Sequence, residues 1–183
     1  MTSPIACYIF GYGSLINMEY NTAELTDAIN RSVWPVMVKG LQRTKNVLLK
    51  DKKHVVFGVK DHLTKSCNGI LFPVNKDEFT RLRIREGLYE PVLLNANRIL
   101  TKYGPSSQYN FVFNPAMKIY CFYPKENALT TNKKLPFLPG YLKICSDGCR
   151  QISDQFYKDF VPKMRQRTLK KNKSRKKKIN SFT

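Results

Sequence analysis

Glu86 stands where an apolar residue is expected. In the segment NKDEFTRLRIREG, residues 75–87, Phe79 and Leu82 are three apart, and Glu86 follows Leu82 by four and Phe79 by seven. A helix therefore puts all three on one face. A charged group on an inward stripe is costly to desolvate, and the last turn of a helix carries partial negative charge that disfavours a carboxylate. Both effects raise the pKa of Glu86, which suits a general base that later returns its proton as an acid. Arg81, Arg83 and Arg85 lie in the same helix and oppose the shift if their guanidinium groups reach it. Two readings stand: a buried acid/base, or a glutamate paired with an arginine at the edge of a sheet.

A second stretch with chemical character is ACYIFGYGSLIN, residues 6–17. It begins as a strand and breaks at Gly11-Tyr12-Gly13-Ser14. Successive backbone N–H groups in a glycine-permitted turn form a concavity for a small anion. The same glycines also suit a β-bulge or a tight corner that needs close backbone passage and no ligand. Tyr12 fits core packing under either reading.

The elements that must position these residues are mostly short strands. Apolar segments bounded by turn residues recur as CYIFGY, VWPVMV, NVLL, HVVFGV, NGILFPV, YEPVLL, NFVFN and MKIYCFY, which predicts a curled or closed, mainly antiparallel sheet. Two segments read as helices. In the first, Asn75 is an N-cap with Glu78 three residues on, as in a capping box, and Gly87 is the C-cap. In the second, LPGYLKICSDGCRQI, Tyr141, Ile144, Cys145, Gly148, Cys149 and Ile152 share one face. Phe156 and Phe160 carry an aromatic spacing of four into a further short helix. The fold class expected is α+β, a small mainly antiparallel β-barrel with flanking helices.

A chain of 183 residues, 42% hydrophobic, fills one core. The domain spans residues 1–162, and 163–183 form a basic tail expected to be disordered. Ten of the 32 Lys and Arg lie in that tail, which has no acidic residue, while residues 1–162 hold 22 basic against 13 acidic. Such a tail serves as a nuclear-import address, as an electrostatic handle for nucleic acid or an anionic surface, or as a solubilising end. The five cysteines follow neither a disulfide framework nor zinc-ligand spacing, and are expected as reduced thiols. His54 and His62 lie in lysine-rich surroundings without partner ligands, so no metal is expected. No apolar run approaches the ~20 residues needed to cross a bilayer. The expected location is cytoplasmic, or nuclear through the tail.

Taken together, FGYGSLIN and, some seventy residues later, RIREGLYEPV resemble the γ-glutamylcyclotransferase-like superfamily, with a Tyr-Gly-Ser-Leu loop after the first strand and a Glu-Gly pair before an outer strand. PVMVKGLQRTKNV, SCNGILFPVNKDEF and GYLKICSDGCRQI resemble its connecting strands and closing helix, so the likeness covers about residues 5–160. The resemblance implies a small barrel with a cavity at one end, a substrate-holding loop of Tyr12, Gly13, Ser14 and Leu15, Glu86 as acid/base, and pocket aromatics at Tyr89 and Tyr141. It implies an enzyme that cleaves a small γ-glutamyl amide or peptide by internal aminolysis to 5-oxoproline and a free amine, without metal or organic cofactor. Leu82-Arg83-Ile84-Arg85-Glu86 departs from the Leu-Asp-x-x-Glu of many relatives, and Ile16-Asn17 lacks the tryptophan of the glutathione-degrading branch. The likeness is to the general, poorly assigned branch. The alternative is a non-catalytic binding module of the same fold that contacts nucleic acid through its basic surface and tail.

Overall fold

A computed structural model describes residues 4–26, 32–100, 103, 114 and 116–161. Its strands are β1 (Cys7–Gly11), β2 (Trp34–Leu48), β3 (Val55–Val74), β4 (Tyr89–Leu93), β5 (Ile99–Leu100) and β6 (Ile119–Pro124), and its helices are α1 (Lys76–Arg85), α2 (Tyr141–Ile152) and α3 (Asp154–Phe160). The strands form one sheet in the order β4-β6-β1-β3-β2-β5. β1 pairs antiparallel with β3 and parallel with β6, and the other pairings are antiparallel. Every residue of β1 is buried, as expected of a central strand covered on both faces.

Four expected strands merge into two. VWPVMV and NVLL are parts of β2, and HVVFGV and NGILFPV are parts of β3. The polar stretches between them continue the ladder: in β3 the side chains from Lys60 to Ser66 are mostly exposed, whereas in β2 Leu41 is buried and Gln42 to Lys45 are half-buried. A register shift between Lys39 and Leu41 absorbs the break, with Gly40 at φ 71, a backbone that glycine adopts without penalty. Arg98 pins this bulge: Nε donates to Lys39 O at 2.8 Å, and Nη2 donates to Gly40 O at 2.6 Å and to Asp61 Oδ1 at 2.8 Å.

The long β2–β3 hairpin curls until the first half of β3 meets β6. Tyr123 donates its hydroxyl to Asp61 Oδ1 at 3.1 Å, and a Cβ on Gly58 would sit 2.6 Å from Pro124 Cγ. These are side-chain contacts, and no strand ladder closes the ring among the described residues. The sheet keeps β4 and β5 as its edges. Among the described residues the architecture is therefore α+β, a curled six-stranded half-barrel with three α-helices, one step short of the closed barrel the strand pattern suggested.

Asn75 caps α1 in the expected capping box, accepting from Glu78 N–H while the Glu78 carboxylate accepts from Asn75 N–H, each at 2.9 Å. α2 buries Tyr141, Cys145, Gly148 and Cys149, and at Gly148 it packs so close to the Asn17 backbone that a Cβ would lie 2.7 Å from it. Phe156 and Phe160 anchor α3 in the core. All five cysteines are buried free thiols. No described helix is long and apolar enough to cross a membrane. The expected strand NFVFN, apart from Asn114, and the basic tail 163–183 lie outside the described residues.

Candidate functional site

β1 ends at Gly11, and the chain turns through Tyr12 and Gly13 into a 3-10 turn, Ser14–Ile16. A Cβ on Gly11 would lie 2.8 Å from Leu15 Cβ, and one on Gly13 would lie 2.7 Å from the Tyr141 hydroxyl. Packing therefore accounts for both glycines: Gly11 lets the turn fold back on itself, and Gly13 lets α2 approach. The turn is fastened from several sides. Tyr12 donates its hydroxyl to Phe122 O at 2.6 Å, and Arg43 Nε donates to Tyr12 O at 2.8 Å while its guanidinium lies 4.2 Å from the Phe160 ring centroid. Asn21 Nδ2 donates to Ser14 O and Asn17 O, and Asn17 Nδ2 donates to Ile144 O of α2. Among the described residues the N–H groups of Ser14 and Leu15, at the open end of the 3-10 turn, have no acceptor.

Glu86 is itself the C-cap of α1, at φ −82 and ψ 39. The expected cap at Gly87 is displaced by one residue. Glu86 N–H still donates to Leu82 O, and Tyr89 N–H donates to Glu86 O, both at 2.8 Å, so the chain leaves the helix through a tight turn without a left-handed glycine. The Glu86 side chain is 14% exposed. Burial pushes its pKa above the ordinary glutamate value, Arg85 partly opposes this, and Glu24 adds to it. Its one recorded partner among the described residues is Arg85, whose Nε is 3.7 Å from Oε1. Both sequence readings are thus partly realised: the carboxylate is buried, and an arginine is beside it at ion-pair distance without a hydrogen bond.

Of the three arginines of α1, only Arg85 reaches the carboxylate. Arg81 donates to Glu24 O at 3.0 Å, and Arg83 is exposed. Arg85 Nη1 donates to Asn21 Oδ1 and lies 3.5 Å from Glu24 Oε2, and Nη2 lies 3.5 Å from Ser14 Oγ. The helix end and the turn after β1 are therefore tied together by one side chain.

Tyr89 and Tyr141 meet at Phe57. Tyr89 donates its hydroxyl to Phe57 O at 2.7 Å, and the Tyr141 hydroxyl accepts from Phe57 N–H at 3.3 Å. Burial raises both phenol pKa values, so both are neutral donors and acceptors in the ordinary pH range.

These groups surround a cavity of about 200 Å³. Tyr12, Gly13, Ser14, Leu15, Glu86, Tyr89 and Tyr141, the seven residues the sequence singled out, all line it. It also takes in residues that sequence reasoning missed: Tyr20, Leu49, Val56, Phe57, Leu88, Phe122 and Leu138, together with Arg85, seen in the sequence only as a modifier of Glu86. Phe57, Val56 and Phe122 looked like ordinary strand residues and carried no separate signal. Tyr20, half exposed at the rim, was foreshadowed only by lying close after the Gly-Ser turn. The walls formed by the described residues are mostly apolar, with charge confined to the Arg85–Glu86 end. Among the described residues no three His, Cys, Asp or Glu come together in a metal-binding group.

No protein-family model matches the sequence, and no curated protein matches it. Solved structures do resemble it. A γ-glutamyl cyclotransferase superposes with a TM-score of 0.56 at 14% identity, over 90% of this chain and 86% of that one. The uncharacterized human protein loc79017 superposes with a TM-score of 0.57 at 15% identity, again over 90% and 86%. YkqA from Bacillus subtilis gives 0.56 at 16% identity, over 83% of this chain and 51% of its own. At these identities the likeness is one of fold.

Proposed function

We propose that this chain, built on the γ-glutamylcyclotransferase-like fold, is a γ-glutamylcyclotransferase that cleaves a γ-glutamyl amide by internal aminolysis. One juxtaposition carries the reading: the carboxylate of Glu86 and the Tyr12–Leu15 turn border the same cavity. The reaction needs a base for the α-ammonium, donors for a developing oxyanion, and an acid for the departing nitrogen.

Glu86 takes the proton from the α-ammonium. The freed amine attacks the γ-carbonyl carbon of the same glutamyl group, the lactam C–N bond forms, and the carbonyl electron pair moves onto oxygen. The N–H groups of Ser14 and Leu15 are the donors for this oxygen or for the substrate carboxylate. Collapse of the tetrahedral intermediate breaks the bond to the leaving nitrogen, which receives the proton held by Glu86, while the ring nitrogen gives up its second proton to the released amine or to solvent, leaving the lactam N–H. The products are 5-oxoproline and a free amine, amino acid or peptide, and the carboxylate is regenerated. One acid/base suffices because a folded γ-glutamyl chain already holds nucleophile and carbonyl together. The raised pKa of Glu86 brings it nearer to that of the ammonium it must deprotonate. Tyr89 and Tyr141 have their hydroxyls committed to the Phe57 peptide, so their part is to shape the wall.

The test is 5-oxoproline release by the purified protein from glutathione, γ-glutamyl-alanine and γ-glutamyl-ε-lysine. Release from at least one of them is expected. Release from none, at protein concentrations comparable with substrate, would speak for a binding module of this fold.

A further inference from the structure

Arg85 is the one cation among the described residues that line the cavity, and its anchoring is lopsided. On one side, Nη1 donates to Asn21 Oδ1 in a close hydrogen bond and lies 3.5 Å from the Glu24 carboxylate. On the other, its contacts among the described residues are loose: Nε is 3.7 Å from Glu86 Oε1, and Nη2 is 3.5 Å from Ser14 Oγ. The Nε–H and Nη2–H bonds form a single planar edge that matches the two oxygens of a carboxylate. The Tyr20 ring, 5.4 Å from Cζ, helps to hold the plane of the guanidinium. The loosely engaged edge thus lies between Glu86 and the first residue of the 3-10 turn, where a small ligand would be flanked by both.

We infer that Arg85 is the specificity-determining residue of this cavity, receiving a carboxylate of the substrate on its Nε/Nη2 edge; the inference rests on reading the cavity as a γ-glutamyl site. Binding exchanges the long Ser14 contact for two charge-assisted hydrogen bonds, while Asn21 and Glu24 keep the guanidinium in place. Substrates able to supply that carboxylate are selected over amides that lack it. The carboxylate is either the α-carboxylate of the γ-glutamyl group or that of a leaving amino acid.

The experiment compares γ-glutamyl-alanine, which carries both carboxylates, with γ-glutamyl-ethylamide, which carries only the first, on the wild type, Arg85→Gln and Arg85→Lys. Loss of a charged hydrogen-bond pair predicts a KM about ten- to a hundredfold higher for Arg85→Gln, with kcat changed far less. Arg85→Lys recovers only part of the loss, because an ammonium has no planar fork. A loss on both compounds assigns the α-carboxylate, and a loss on γ-glutamyl-alanine alone assigns the leaving group. An unchanged KM on both overturns the inference. Should Arg85→Gln fail to fold, Arg85→Lys decides, with a KM several-fold higher expected and a wild-type KM overturning it. Affinities of the same two compounds for Glu86→Gln, with and without the Arg85 substitution, require no turnover. If the wild type releases no 5-oxoproline, the cyclotransferase reading falls, while an Arg85-dependent affinity keeps the carboxylate site and an Arg85-independent one removes it.

Discussion

Arg85 and Glu86 are neighbours in sequence, yet the guanidinium Nε stops 3.7 Å from the carboxylate, at ion-pair distance and just beyond a hydrogen bond, because its Nη1 side is drawn toward Asn21 and Glu24. Glu86 is therefore buried with its countercharge at ion-pair distance but not hydrogen-bonded to it, and burial dominates its titration. As a base it works in the ionised form, so activity rises with pH through its folded-state pKa. The acid limb of the kcat/KM profile is expected above 4.5, the ordinary value, and removing the opposing cation in Arg85→Gln moves it higher still. A pH–rate series on the two proteins checks both positions; a limb at or below the ordinary glutamate value contradicts the account.

The same burial has a stability signature. A carboxyl group whose folded-state pKa is raised favours the fold when protonated and weighs against it when ionised. That penalty is absent below the unfolded pKa and grows as pH rises through the folded one. Glu86→Gln should therefore gain a few degrees in Tm at neutral pH, and the gain should shrink toward zero as the pH falls below 4.5. Thermal unfolding of the two proteins across that range measures it.

The Tyr141 hydroxyl occupies the space beside Gly13, only 2.7 Å from where an added Cβ would stand. Gly13→Ala is expected to cost about 1–3 kcal/mol. Adding Tyr141→Phe removes the clashing atom, while the next ring atom stands 3.9 Å from the same Cβ. The double variant should therefore unfold at higher denaturant concentration than Gly13→Ala alone.

Tyr89 and Tyr141 hold opposite ends of one residue's peptide groups, and the Tyr89 bond to Phe57 O is the shorter, at 2.7 Å against 3.3 Å. Tyr89→Phe should cost about 0.5–1.5 kcal/mol of stability. As a wall residue it should raise KM while leaving kcat within a few-fold. A large fall in kcat would instead give the phenol a chemical role.

Local rules made the site legible, and long-range closure did not. Asn75 and Glu78 announced the capping box, the apolar spacing from Tyr141 to Ile152 announced α2, and Glu86 stood out because it broke its own stripe. The joining of VWPVMV to NVLL was hidden because Gly40 reads as a turn, whereas the fold uses it as a bulge fastened by the distant Arg98. The half-barrel depends likewise on Asp61 and Tyr123 meeting across the curl, a contact that no local period encodes. Arg85 was visible as a charge near Glu86, but its orientation is set by Asn21 and Glu24, which lie some sixty residues earlier in the chain.

The most direct measurement is 5-oxoproline formation by the wild type and by Glu86→Gln on whichever substrate the wild type turns over, with cooperative unfolding and substrate binding followed in both proteins. The account predicts a fall of about 10²–10⁴-fold in a variant that still folds and still binds. A folded Glu86→Gln that forms 5-oxoproline at the wild-type rate would contradict it.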